Sequence, residues 1–206
     1  MFRILFILLF LLLPFKSNAL IEVDITRGNL NPLPIAVSPL SIDENSRKNF
    51  EKILNKKNIG SEISTVVEKN LRTSGLFNPL NKDAFLQTPD IANIKPRFED
   101  WSLIKAQALI TGKVNLSEDK LRVEFRLWDV LAGKEMMALA FTTVPTNWRR
   151  VGHIITDKVY ERLTGEKGYF DTRIIYVAEE GPKTKRIKKL AIMDLSLIHI
   201  SEPTRP

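Results

Sequence analysis

Leu121-Arg122-Val123-Glu124-Phe125-Arg126-Leu127 decides the fold. Apolar residues take every second position, and charged residues fill the positions between. A strand turns successive side chains to opposite faces, so a period of two predicts a strand with one face buried. Before it, Ala106 to Leu116 is apolar and rich in β-formers; after it, Met136 to Val144 is a third such run. Glu118-Asp119-Lys120 and Ala132-Gly133-Lys134 punctuate the three. Turns at this spacing predict an antiparallel meander.

Two helical patterns flank the meander. Ile59, Ile63, Val66, Val67 and Leu71 recur at three- and four-residue steps, which predicts a helix from Ile59 to Ser74 with Gly75 as its stop. Trp148, Val151, Ile155, Val159 and Leu163 form a second apolar stripe, opened by Asn147 as a possible cap and closed by Thr164-Gly165. Pro96 opens a short helical turn carrying Phe98, Trp101 and Leu103. The polar stretch from Ser41 to Asn58 has room for a short helix around Phe50 to Leu54. Pro32 to Val37 reads as a short strand entered through prolines, and Leu76 to Asn93 as a connection with turns. Together these give an α+β domain, with two main helices packed on one mixed sheet. After Gly168, Arg173 to Ala178 and Ile187 to Met193 predict two more strands. A lone hairpin is marginal in water, so they read as the start of a further unit.

The N-terminus carries an address. Arg3 precedes an unbroken apolar run from Ile4 to Leu13, and Ser17-Asn18-Ala19 supplies small residues for a signal peptidase. That pattern predicts export with cleavage between Ala19 and Leu20. A membrane anchor needs about 20 apolar residues, and Lys16 interrupts this run first. Past the cleavage point, Ile21, Val23 and Ile25 alternate with Glu22, Asp24 and Thr26. This is either a half-buried strand or a loose arm able to join a partner's sheet.

Composition narrows the chemistry. The chain has no cysteine, so burial rather than disulfides must hold an exported fold together. Losing Arg3 and Lys16 lowers the formal charge of +7 by two. Much of the remainder sits in Lys183 to Lys189, behind Gly181-Pro182, where a solvated hairpin end explains it. No nucleic-acid motif accompanies it. Of the two histidines, His199 lies near the C-terminus, and His153 sits beside an apolar helical stripe, where packing or solvation is the expectation. Catalytic residues, a metal site and a cofactor are therefore not expected. The paired acids Glu118-Asp119 and Glu179-Glu180 fall at turns. Trp101 and Trp148 read as core. Trp128 falls on the polar face of its strand, where it could cover an edge or bind a partner.

Several stretches carry a resemblance. Leu20 to Gly28 followed by Pro34 to Val37, Ile110-Thr111-Gly112-Lys113-Val114, and Arg126 to Gly133 resemble the TolB family in order and spacing. So do Trp148 to Glu161, Leu163 to Phe170, Arg173 to Val177 and Lys189 to Asp194. The resemblance implies an N-terminal α/β domain followed by a six-bladed β-propeller, acting in the periplasm as a non-catalytic part of the Tol–Pal system. It supports outer-membrane integrity and envelope constriction during division. The implied partners are Pal, on the propeller, and TolA, on the mature arm at Ile21, Glu22, Val23, Asp24, Ile25 and Thr26. Other outer-membrane lipoproteins are further possible partners, and a monomer is implied. The organisation is then signal peptide 1–19, α/β domain 20–168 with arm 20–28, propeller start 169–194, and a departure at 195–206. That last stretch reads as the translation of a sequencing adapter, which would make the propeller truncated. An exported hydrolase or a solute-binding domain is the alternative without the family.

Overall fold

The computed structural model describes residues 31–56, 58–88, 95–117 and 119–194. The strands are β1 (Leu33–Val37), β2 (Ser41–Ile42), β3 (Phe77–Pro79), β4 (Ala108–Ser117), β5 (Lys120–Asp129) and β6 (Lys134–Thr143). A separate pair follows, β7 (Arg173–Glu180) and β8 (Ile187–Asp194). The helices are α1 (Glu44–Leu54), α2 (Ile59–Thr73), α3 (Phe98–Leu103) and α4 (Trp148–Thr164).

The sheet runs β3-β1-β4-β5-β6, with β2 also on β4. β1 lies parallel to both β3 and β4, and β4, β5 and β6 pair antiparallel. Parallel neighbours need a crossover, and α2 supplies it between β1 and β3. The sheet is therefore mixed, and its antiparallel half is the meander read from the sequence.

Alternation sorts the strands onto two faces. Ile35 and Val37 of β1, Ala108 and Ile110 of β4, and Val123, Phe125 and Leu127 of β5 join the main core. Against them pack Phe50 of α1, Ile63 and Leu71 of α2, and Val151, Ile155 and Leu163 of α4. The opposite face has its own cluster of Ala36, Leu109, Trp101, Trp128 and Val130, with Phe85 and Phe98 against it. Both faces are thus buried at one end of the sheet, which explains why β4 opens on the unbroken apolar run Ala108-Leu109-Ile110.

Local chemistry sets the ends of the elements. Asp43 caps α1, accepting the Ser46 N–H at 2.9 Å and the Ser46 hydroxyl at 2.6 Å. The same hydroxyl accepts the Leu116 N–H at 2.9 Å, which ties the cap to β4. The helix is longer than the expected Phe50–Leu54, because a good cap and one buried anchor, Phe50, suffice for a solvated helix. The connection from Leu76 hides β3, a three-residue edge strand that ends on Pro79. Asn147 does not cap α4 with its side chain: a tight turn, Pro145–Asn147, precedes the helix. The Asn147 amide donates instead to the Thr143 hydroxyl at 3.2 Å.

Where α2 and α4 cross, Gly152 is required. A methyl group there would sit 2.8 Å from Val66 Cγ1. Past α4, both Asp157 carboxylate oxygens take backbone donors, Phe170 N–H at 2.6 Å and Asp171 N–H at 3.1 Å. Phe170 is buried in the main core as a result. β7 and β8 then pair in full register from Arg173↔Asp194 to Glu180↔Ile187.

Candidate interaction surfaces

The residues expected to bind a partner, Ile21, Glu22, Val23, Asp24, Ile25 and Thr26, lie outside the described residues. So do the expected cleavage pair Ala19 and Leu20, and the tail 195–206. What the described residues offer is a set of side chains with structural roles and a few open surfaces.

His153 is structural. It is 2% exposed on the buried side of α4. Its Nδ1 lies 2.9 Å from the Asn70 amide nitrogen, which also donates to the Thr156 hydroxyl at 3.2 Å. The Thr156 hydroxyl itself donates to the Gly152 carbonyl at 2.8 Å. Asn70 belongs to α2 and the others to α4, so this polar chain fixes the register of the two main helices. The packed reading of His153 holds.

Trp128 corrects the sequence reading. It does share a face with Glu124 and Arg126, but it is only 7% exposed. Its indole N–H donates to the Thr111 hydroxyl at 2.9 Å, and Phe98 tilts against its ring at 5.8 Å. The physical reason is the second layer: α3 and Phe85 cover that end of the outer face. Trp128 is a core anchor and presents nothing to a partner. Trp101 is buried in the same cluster, and Trp148 lies in the main core beneath Lys56 and Arg149, whose cations sit over its ring.

Of the paired acids, Glu118 lies outside the described residues, and Glu179 and Glu180 have solvated roles. Glu179 pairs with Arg186 and with Lys188 at 3.3 Å, and Glu180 pairs with Lys189 at 3.0 Å. Three of the five basic residues from Lys183 to Lys189 are thereby spent on ion pairs within their own hairpin. Asp129 went unnoticed in the sequence, although it is fully buried. One of its oxygens accepts the Ala132 N–H at 2.8 Å, and this closes the β5–β6 turn. An acid three residues before the amide it holds is the signal that could have found it.

Among the described residues, three open surfaces stand out. The outer face of the meander bears a cleft of about 200 Å³ lined by Lys113, Arg122, Glu124, Arg126, Ala138 and Ala140. Glu124 is shared there by Arg122 at 2.9 Å and Lys113 at 3.4 Å. The Arg122 hydrogen bond, aided by the Lys113 charge, holds its carboxyl below the usual glutamate range. Beside α3, Leu103 and Leu131 stand exposed around a wide, shallow hollow. On the hairpin, Ile175, Val177, Leu190 and Ile192 are exposed, Leu190 at 78%.

The TolB amino-terminal domain family matches residues 21–136. The Tol-Pal system protein TolB of Pelagibacter ubique (strain HTCC1062) is 81% identical over 192 residues. That alignment takes in 93% of this chain and 43% of the relative, so the chain spans less than half of that protein's length. Among solved structures, TolB from Acinetobacter baumannii superposes with a TM-score of 0.62 at 22% identity. It covers 85% of this chain and 39% of that one, and at this identity the likeness speaks for the fold. With sequence, family match and fold in agreement, the chain belongs to the TolB family.

Proposed function

We propose that this chain serves the Tol–Pal system in the periplasm as a non-catalytic protein-interaction component, supporting outer-membrane integrity and envelope constriction during division. The observation that carries this reading is the 81% identity to a Tol-Pal system protein TolB over 93% of the chain. The open surfaces of the sheet and hairpin and the purely structural role of His153 fit a protein that works by contact. In this reading residues 1–19 are the export signal, cut between Ala19 and Leu20. Residues 20–168 form the α/β domain, 169–194 open a propeller, and 195–206 are foreign to the family.

The arm 20–28 then engages TolA by strand addition. Ile21, Val23 and Ile25 would face the partner's apolar side, and Glu22, Asp24 and Thr26 the solvent. Pal is assigned to the propeller, of which this chain carries one hairpin. The protein acts as a monomer without a cofactor, and nucleic acid is no partner. Deleting residues 20–28 is expected to abolish TolA capture in a pull-down while circular dichroism shows the domain still folded. Unchanged capture by the folded deletion variant would refute the arm's role.

A further inference from the structure

β6 is the last strand of the sheet, and among the described residues nothing pairs with its outer edge. At ten residues it is as long as β4 and β5. Unpaired strand edges recruit further strands, so proteins commonly guard them with proline, charge or a bulge. The opposite edge is guarded in this way: β3 is three residues long and ends on Pro79. β6 is guarded only at its start. There Met136 is the extra residue of a bulge, and its carbonyl accepts from Arg162 at 3.4 Å. From Met137 to Thr143 the sequence contains neither charge nor proline.

The two faces beside this edge differ. Towards the main core, Phe141 stacks on Phe125 at 6.0 Å and Leu139 is 37% exposed, so the apolar layer runs on to the edge and stops in solvent. Towards the outer face, Ala138 and Ala140 are exposed and short, and they stand opposite Arg126 and Glu124. The cleft above them is lined by three cations, Lys113, Arg122 and Arg126, and one acid, Glu124. Arg126 also pairs with Glu135 at the guarded start of β6, at 2.6 Å, which leaves Lys113 and Arg122 to share Glu124 and one cation in excess. Guanidinium groups favour carboxylates, which they grip with two parallel hydrogen bonds. A strand added here would meet an apolar layer on one side and an excess of cations on the other.

We propose that the edge of β6 from Met137 to Thr143 takes an extended segment of a partner protein as an added strand, and that this segment alternates apolar with acidic side chains. The apolar set covers Leu139 and Phe141; the acidic set lies over Ala138 and Ala140 within reach of Arg122 and Arg126. Charge argues against a second copy as occupant, because two such edges would bring cationic outer faces together. The case for this edge stands whether or not the arm 20–28 binds TolA.

The test uses the chain from Leu20 onward and two blocked eight-residue peptides, one alternating valine with glutamate and one alternating valine with lysine. Titration calorimetry reads affinity, and amide hydrogen exchange reads the edge. The glutamate peptide is expected to bind and to slow exchange across Met137–Thr143, and the lysine peptide to do neither. Ala140→Glu, an exposed position, is expected to weaken the glutamate peptide by about tenfold, and Arg122→Glu with Arg126→Glu to weaken it further. Binding of neither peptide, equal binding of both, or binding without edge protection would overturn the proposal. Binding that appears only after deletion of residues 20–28 would assign the edge to the chain's own arm. Concentration-dependent dimerisation that protects the same amides would assign it to a second copy.

Discussion

Asp43 is the residue on which the α1 end of the domain depends. Its carboxylate holds a backbone N–H and a hydroxyl of Ser46, and these bonds place its pKa below the ordinary value of 3.8. A depressed carboxylate pKa stabilises the fold above the unfolded-state value, and the contribution fades as pH falls through the folded-state one. Asp43→Ala is expected to cost about 1 kcal/mol in urea unfolding at pH 7. The gap between wild type and variant should narrow as pH falls below 3.8. A gap that stays constant with pH would mean the side chain acts through packing. The cap was readable in principle, since an Asp precedes a run able to form a helix. It was missed because Ser41 to Asn58 is polar and Phe50 is the helix's one fully buried large side chain. Trp128 shows the complementary difficulty. Alternation placed it on the correct face, but no periodicity in one strand reports what a distant segment lays over that face.

At the scale of the element, the pair α2 and α4 is the decisive contact. Both stripes were legible because long amphipathic patterns survive almost any tertiary context. What the stripes do not encode is how closely the helices approach. That is set by Gly152, over which Val66 packs, and by the Asn70–His153 and Asn70–Thr156 contacts beside it. Gly152→Ala is expected to lower stability by about 1–3 kcal/mol, because the added methyl meets Val66 at 2.8 Å in a crossing that cannot open cheaply. Alanine has the higher helix propensity, so a stabilised variant in thermal unfolding would show that the crossing yields. β3 illustrates the other limit: three residues that include a proline carry no period, and β1 defines them as a strand by pairing with them.

Across the whole molecule, protection should be uneven. β4 and β5 lie inside the sheet with large side chains buried on both faces at one end. β7 and β8 pair only with each other, and Ile175, Val177, Leu190 and Ile192 stay exposed. An isolated two-stranded pair gains little from burial. Amides of Arg173–Glu180 and Ile187–Asp194 are therefore expected to exchange at least about a hundredfold faster than those of Leu109–Val114. Equal rates in native-state exchange would show that the hairpin finds cover. The α+β domain could be read from sequence because its burial is internal to it. The hairpin could be read as strands, but its exposed side chains have no partner among the described residues, and their period says nothing about what would cover them.

The clasp between α4 and the segment after it has a mechanical consequence. Asp157 holds the Phe170 and Asp171 amides, Arg150 grips the Asp171 carboxylate at 3.0 Å, and Phe170 is wedged in the core. Thr172 alone separates that anchored stretch from the first residue of β7. One residue spans about 3.5 Å, so there is almost no slack in the tether. Tension applied to the hairpin is delivered to the middle of α4 through ionic and hydrogen-bonded contacts, and the meander is loaded only after they give way.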